Sequence, residues 1–337
     1  MKKILLKDLA EQLGISISQV SRALNQKADV APEIRGRVLE LARKLNYRNF
    51  SGKHRKAIAV ILPRFNDFYD AILNQILLQG KKRSWKLVII PSQNLELLND
   101  QLFDGAIMIS GEPIAMKWHE RYNIPLVVIN NFGSALNHIC SVFPDADGEV
   151  RAAMEHFIAL GHTRIARIRG HGANATEQEL QRGLDELYRI ADLHGIRETV
   201  RNCCGATLQD KIAHVLKLIR EGYTAFLVVI SDEAPVLLDA IRKCGKRIPE
   251  DVSVITYESR SVSAFQTPPL TTLEFDYPRL VSCALQQLTL EMNGKKNASR
   301  ILVPVRMNLR SSTSRGGSFL LRSASSPPPE SKRREDG

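Results

Sequence analysis

Between residues 57 and 256, short runs rich in Val, Ile and Leu alternate with longer amphipathic stretches, and that alternation constrains the fold more tightly than any other feature of the chain. The runs 57–62, 87–90, 105–109, 126–129, 164–168, 225–230 and 252–256 are strand-sized, whereas 69–82, 149–160, 177–193, 208–221 and 235–244 carry apolar residues at helical spacing. Parallel strands cannot be joined by a tight turn; they need a crossover of a dozen or more residues, usually a helix. A series of strand–helix pairs therefore predicts parallel sheets covered by helices, and this one is long enough for two α/β lobes. Ligands of such sheets bind beyond the carboxyl ends of the strands.

The first 56 residues read differently. Leu6, Leu9, Ala10 and Leu13 share one helical face, and Gly14 ends that run. Ser16 can cap a second helix that turns Val20, Ala23 and Leu24 inward. Pro32 opens a third, with Val38, Leu41, Ala42 and Leu45 on its buried stripe. Two helices joined by a tight Gly-containing turn make the helix-turn-helix geometry. The same segment holds thirteen Lys or Arg against five Asp or Glu, so a surplus of eight positive charges, out of +11 for the chain, lies in its first sixth. That is the electrostatic footprint of a polyanion-binding surface.

Several function classes fall away. Five cysteines without a CxxC pair argue against a disulfide framework or a zinc site, although the vicinal Cys203-Cys204 leaves a redox pair open beside the reading of two reduced thiols. Lys7 and Asp8 interrupt the apolar start before a signal sequence is complete, and the longest apolar runs are too short to span a bilayer, so a cytoplasmic location without membrane contact is expected. No nucleophile–base pair, Gly-rich phosphate loop or metal cluster stands out, so the chain is read as no enzyme and as needing no cofactor or metal.

The segment from Leu6 to Asn25, with Val20-Ser21-Arg22 at its centre, resembles the headpiece of the LacI/GalR family of transcriptional regulators, and the likeness continues through Val30, Pro32, Arg35, Val38 and Leu45-Asn46-Tyr47. Downstream, Asp104-Gly105-Ala106-Ile107, the stretch 155–166, Ile248-Pro249-Glu250-Asp251-Val252 and Pro268-Pro269-Leu270-Thr271-Thr272 resemble landmarks of the family's sensor domain, and coverage runs to about Ser312. The resemblance implies an α headpiece (three-helix, helix-turn-helix) followed by an α/β two-lobed, periplasmic-binding-protein-like (type I) domain. It implies a homodimer that binds double-stranded operator DNA, most often as a repressor, under control of a small-molecule effector such as a sugar or related metabolite. The alternative is a constitutive DNA binder whose sensor domain takes no effector.

A recognition helix presents its N-terminal residues to base edges, so Ile17, Ser18 and Arg22 are the expected base contacts, Arg22 bidentate to a guanine. Lys7, Ser16, Gln19, Ser21 and Asn25 are expected to set register on the backbone and groove. Matched residue by residue, the family's effector cleft implies Phe68, Tyr69, Asn130, Phe143, Asp232, Phe275 and Tyr277 here. Asp232 has a competing role as the cap of the helix that follows. His156 and His162, residue types open to a metal or catalytic reading, are read as structural.

Four departures from the family bear on the sensor. Leu180 stands where many relatives carry an arginine three residues before Gly183, Phe275 replaces a polar residue, Glu258 replaces an Asp, and 92–103 is short for a crossover helix. The expected boundaries are a DNA-binding domain at 1–48, a connector at 49–56, and an effector-binding and dimerisation domain at 57–313. Within it, lobe one is 57–143 and 268–297, and lobe two is 144–267 and 298–313. Residues 314–337, rich in Gly, Ser and Pro, are expected to be disordered. The connector lacks the proline and leucine with which relatives build a hinge helix and kink the minor groove; either Phe50 substitutes as an apolar wedge, or Lys53, Arg55 and Lys56 hold phosphates on nearly straight DNA.

Overall fold

The computed structural model describes residues 4–25, 27–45, 47, 55–63, 65, 67–99, 102–110, 117, 119–120, 124–130, 139–170, 177–205, 207–229, 234–258, 262–295 and 299–316. Three helices, α1 (Leu6–Leu13), α2 (Ile17–Leu24) and α3 (Pro32–Lys44), close around Leu9, Ala10, Val20, Ala23, Val30, Val38 and Ala42. Gly14 sits at φ 66° and carries the turn between α1 and α2, a left-handed position that favours glycine. Leu39 and Arg43, absent from the expected stripe, are buried as well, and Arg43 donates to the carbonyl of Asn99.

The next unit is a six-stranded sheet built from β1 (Ala57–Leu62), β2 (Lys86–Pro91), β3 (Gly105–Ile109), β4 (Leu126–Ile129), β5 (Cys140–Pro144) and β11 (Arg300–Val303), in the order β11-β5-β4-β3-β1-β2 and parallel throughout. Strands buried on both faces need no polar alternation, which is why these runs are continuously apolar. Ile58, Val60, Leu62, Ile107, Ile109, Val127 and Ile129 pack under α4 (Asp67–Lys82) and the helix Tyr277–Met292. Ala59, Ile61, Ala106, Met108 and Val128 pack on the other face, with Leu95, Leu98 and Phe103. The short 92–103 crossover folds as a 3-10 segment, Ser92–Asn99, rather than a full α-helix.

The second sheet has the order β12-β10-β9-β8-β6-β7, with β6 Ile165–Gly170, β7 Val200–Gly205, β8 Ala225–Val228, β9 Ser253–Tyr257, β10 Thr271–Glu274 and β12 Arg306–Asn308. Helices α5 (Ala146–Ala159), α6 (Glu177–Leu193), α7 (Leu208–Arg220) and α8 (Ala234–Lys243) accompany it, and Tyr277–Met292 is α9. Among the described residues, no helix is long and apolar enough to cross a membrane.

Three expected boundaries change. Strand β10, placed in lobe one from sequence, belongs to the second sheet, where it pairs with β9 in the register Thr271↔Ile255 and Leu270 enters the apolar core. Strand β11, placed in lobe two, belongs to the first sheet on β5, because Ile301 and Val303 pack into that core. The compact units accordingly break at 148/149, 274/275 and 306/307, with 172–183 grouped with the first and the headpiece counted there too. Residues 314–316, expected to belong to the disordered tail, are instead held in place. Ser314 donates to the Pro249 carbonyl at 2.7 Å and the Gly316 N–H donates to the Leu160 carbonyl at 2.7 Å; residues 317–337 lie outside the described ones.

His162 locks this end of the second unit. Its Nε2 lies 3.0 Å from the Ser314 carbonyl and so must carry the proton, leaving Nδ1 to accept from the Thr224 hydroxyl at 2.8 Å. Burial lowers its pKa, and the nearby His156 adds to that against the hydrogen bond to Ser314. A histidine whose folded pKa lies below its unfolded value binds more protons when unfolded, so its contribution to stability is present above the unfolded pKa of about 6.5 and is lost as pH falls toward the folded value. The denaturation midpoint is expected to drop between pH 7.5 and pH 5, and His162→Gln should lower the midpoint at pH 7.5 and shrink the difference. An unchanged pH dependence in that variant would assign the effect elsewhere.

Candidate functional site

Two sites emerge, one on the headpiece and one at the ends of the first sheet. In the headpiece, Ser16 Oγ accepts from the Gln19 N–H at 3.1 Å while Gln19 Oε1 accepts from the Ser16 N–H at 3.1 Å, a reciprocal cap that fixes the start of α2. Ser16 and Gln19 are thus tied to the helix end. Val20 and Ala23 are fully buried, so the opposite face turns outward: Ile17 is 51% exposed, and Ser18, Arg22 and Asn25 are exposed. Residues 18 and 22 are one turn apart and share a stripe with 25. Asn25 Nδ2 donates to the Ser21 carbonyl at 2.8 Å and closes the helix.

The Arg22 guanidinium pairs with Asp29, and both side chains are about half exposed. Asp29 is held on a loop that Arg35 staples by donating to the carbonyls of Lys27 at 2.9 Å and Val30 at 3.3 Å, with Val30 buried beneath. Lys7 is exposed on α1. Phe50 lies outside the described residues.

At the carboxyl end of the first sheet, Phe68 packs edge-on against Tyr69 (5.4 Å between ring centres), Phe275 (5.7 Å) and Tyr277 (6.0 Å). Helix α4 presents the first two rings. The last two come from the chain entering α9, where Asp276 caps by accepting from the Arg279 N–H at 3.0 Å. Tyr69 is buried, and its hydroxyl lies 3.1 Å from Ser110 Oγ at the end of β3. Ser110 (φ 66°) and Asn130 (φ 57°) are buried non-glycine residues in the left-handed region at the ends of neighbouring strands. Such conformations persist only where the surroundings impose them, and they gather at ligand sites.

Phe143 does not join the aromatic cluster: Cys140 and Val142 enter the core beneath α4 and α9, so alternation along β5 sends Phe143 to the opposite face, where the Arg300 guanidinium lies 4.7 Å over its ring. Asp232 lies outside the described residues. Ser110 was missed, since a lone serine after an apolar run carries no signal. A further omission had a visible signal: Arg167 and Arg169 interrupt the apolar β6 at a spacing of two, which places both on one face of the second sheet.

Comparison with known proteins matches residues 5–49 to the family described as bacterial regulatory proteins, lacI family, and residues 154–313 to the periplasmic binding protein-like domain. Among similar proteins, the transcriptional repressor PurR of Aliivibrio fischeri (strain MJ11) is 25% identical over 319 residues, covering 88% of this chain and 94% of that protein. The transcriptional regulator MalR of Streptomyces coelicolor is 27% identical, covering 86% and 90%. Among solved structures, the Lac repressor dimer bound to operator and the anti-inducer ONPF aligns over 93% of this chain with a TM-score of 0.67 at 23% identity. The CelR–cellobiose complex aligns over 92% with a TM-score of 0.64 at 21% identity.

Proposed function

We propose that the chain, with the DNA-binding headpiece of the lacI family ahead of a periplasmic-binding-protein-like domain, is a LacI-family transcriptional regulator that acts as a homodimeric, cytoplasmic repressor and reads its operator through Ile17, Ser18 and Arg22 without catalysing any reaction. The observation that carries this reading is the outward stripe of α2, polar and basic, set on a helix whose other face is anchored by Val20 and Ala23. Arg22 reads a guanine, Ser18 either donates or accepts, and Ile17 packs on a thymine methyl. Lys7, Ser16, Gln19, Ser21 and Asn25 serve register on phosphate and groove. A two-fold dimer requires two half-sites.

The sensor binds a small metabolite against Phe68, Tyr69, Asn130, Phe275 and Tyr277; Asp232, expected from the resemblance as an acidic contact, lies outside the described residues. Aromatic faces suit ring-shaped or polyhydroxylated ligands, and the named relatives include a cellobiose-bound regulator. The effector changes operator affinity only by its differential affinity for the DNA-competent dimer.

Selection of bound sequences from a random duplex pool tests the proposal, the expected product being a pseudo-palindrome. Because the connector expected at 49–56 lacks the proline and leucine of relatives, energy transfer between dyes flanking that selected site should report nearly straight DNA, and affinity should fall steeply with salt. A sharp central kink that disappears in Phe50→Ala would show instead that Phe50 is a minor-groove wedge.

A further inference from the structure

One face of the second sheet holds a charge imbalance. Along β6, Ala166 and Ile168 point into the apolar core beneath α7 and α8, so Arg167 and Arg169 project from the other face. Tyr257, at the end of β9, shares that face, because Val254 enters the same apolar core as Ala166 and alternation turns Ile255 and Tyr257 the opposite way. Register places Arg167 beside Asn202 on β7 and beside Leu227 on β8, with Arg169 one step nearer the carboxyl end of the strand.

Arg167 is only 8% exposed. Its guanidinium makes a long contact, Nη1 to Asn202 Oδ1 at 3.5 Å, and the Nε atoms of both Arg167 and Arg169 are enclosed without a hydrogen-bond partner among the described residues. Glu149, near the start of α5, is buried as well and acts on both Arg167 and the Tyr257 hydroxyl. Burial pushes the Tyr257 phenol well above its ordinary value, so it stays neutral. The other buried acid of this unit, Glu186, is held down to about 2 by hydrogen bonds from Arg189 and Arg151 and is committed to them. Among the described residues, these two guanidiniums therefore share a single buried carboxylate, that of Glu149.

An uncompensated buried charge is costly, and a guanidinium presents a fork of donors matched to oxyanions. Arg169 also lies at the carboxyl end of a parallel strand, the end at which such sheets take ligands, with Arg167 two residues before it. The geometry points to an anion-binding subsite at Arg167 and Arg169, which fits an effector bearing a carboxylate or a phosphate group. This deepens the effector reading given above and rests on it: the ligand would be an acidic or phosphorylated metabolite rather than a neutral sugar.

The test uses the full chain and simple anions. Thermal unfolding is followed in chloride, in acetate and in inorganic phosphate at matched ionic strength and pH. The midpoint is expected to rise with acetate or phosphate relative to chloride, and the better of the two identifies the group. The rise should be lost in Arg169→Gln and kept in Arg220→Gln, an exposed control on α7. Arg167→Lys retains the charge but loses the fork, so it should keep the fold and weaken the shift at least several-fold. Equal midpoints in all three salts, or a shift that survives in Arg169→Gln, would overturn the subsite. Operator selection with the same protein reports separately on the regulator: a protein that selects DNA but ignores anions loses only this proposal, and one that gains stability from an anion but selects no DNA loses the regulator reading instead.

Discussion

Leu9→Ala is expected to abolish operator binding by unfolding the headpiece while the α/β units melt as in the wild type. Leu9 is fully buried at the centre of a core of seven buried residues. Truncating a buried leucine to alanine costs about 2–5 kcal/mol, the lost transfer energy plus the cavity left behind. A three-helix domain of this size has little margin, because it buries a smaller fraction of its surface than a larger domain does. Its helix ends add nothing to spare: the residues before α1 and α3 are Leu5 and Ala31, whose side chains supply no capping acceptor, and only the Asp8 carboxylate, accepting from the Leu5 N–H at 2.6 Å, compensates at the first. Gly36 in mid-α3 is exposed, with open space where a Cβ would stand, so Gly36→Ala should restore about 0.4–1 kcal/mol and partly rescue Leu9→Ala. Helical circular dichroism of a 1–50 fragment, alone and with each change, reads the effect directly. A Leu9→Ala fragment that melts with the wild type would show that the headpiece core lies elsewhere.

Much of this architecture was legible because the hydrophobic pattern and the burial agree. Strands β1, β3 and β4 have the bounds expected of them, since strands buried on both faces are uninterrupted apolar runs that end where polarity returns. Helix α6, Glu177–Leu193, also matches its periodic stretch. What escaped were segments whose sequence carries the marks of another role. Strand β5 ends in Pro144 and contains Ser141, and β7 reads Val-Arg-Asn-Cys-Cys-Gly, an edge strand too polar to stand out. Strands β10 and β11 were assigned to the wrong sheets because chain proximity says nothing about which edge a crossing strand joins; the choice is made by Leu270 in one core and by Ile301 and Val303 in the other.

The site divides along the same line. Helix α2 was readable to the residue, because the cap Ser16, the inward Val20 and Ala23 and the outward Ile17, Ser18 and Arg22 all follow from helical spacing. Effector residues carried over from a resemblance were less secure. Phe143 lies on the sheet face opposite the aromatic cluster, and Ser110 owes its interest to a left-handed backbone that its residue type does not announce. The arginines of β6 lie between these cases: their spacing of two was visible, and only packing shows how little counter-charge faces them among the described residues.

Arg22→Ala is the substitution expected to cost the most in DNA recognition while leaving the fold intact. Its guanidinium stands on the exposed stripe of α2 with Ser18 one turn away, and a good bidentate contact to guanine is worth about 1–3 kcal/mol of discrimination. In the free protein that guanidinium pairs with Asp29, and the pair must open before Arg22 can reach a base. An ion pair this exposed contributes about 0–1 kcal/mol, so the base contact outweighs it and the pair acts as a parking position rather than a lock. Two results follow. Affinity for the selected operator should fall roughly 5- to 150-fold in Arg22→Ala, with preference relaxed at one base pair per half-site and binding to scrambled duplex changed much less. Asp29→Asn should raise operator affinity by at most about fivefold when Arg22 is present. In the Arg22→Ala background it should add only the modest, sequence-independent gain of removing one negative charge near the phosphates. The four proteins form a double-mutant cycle on selected and scrambled DNA. Equal losses on both duplexes would reassign Arg22 to a phosphate, and an Asp29→Asn gain identical in both backgrounds would show that the ion pair plays no part in recognition.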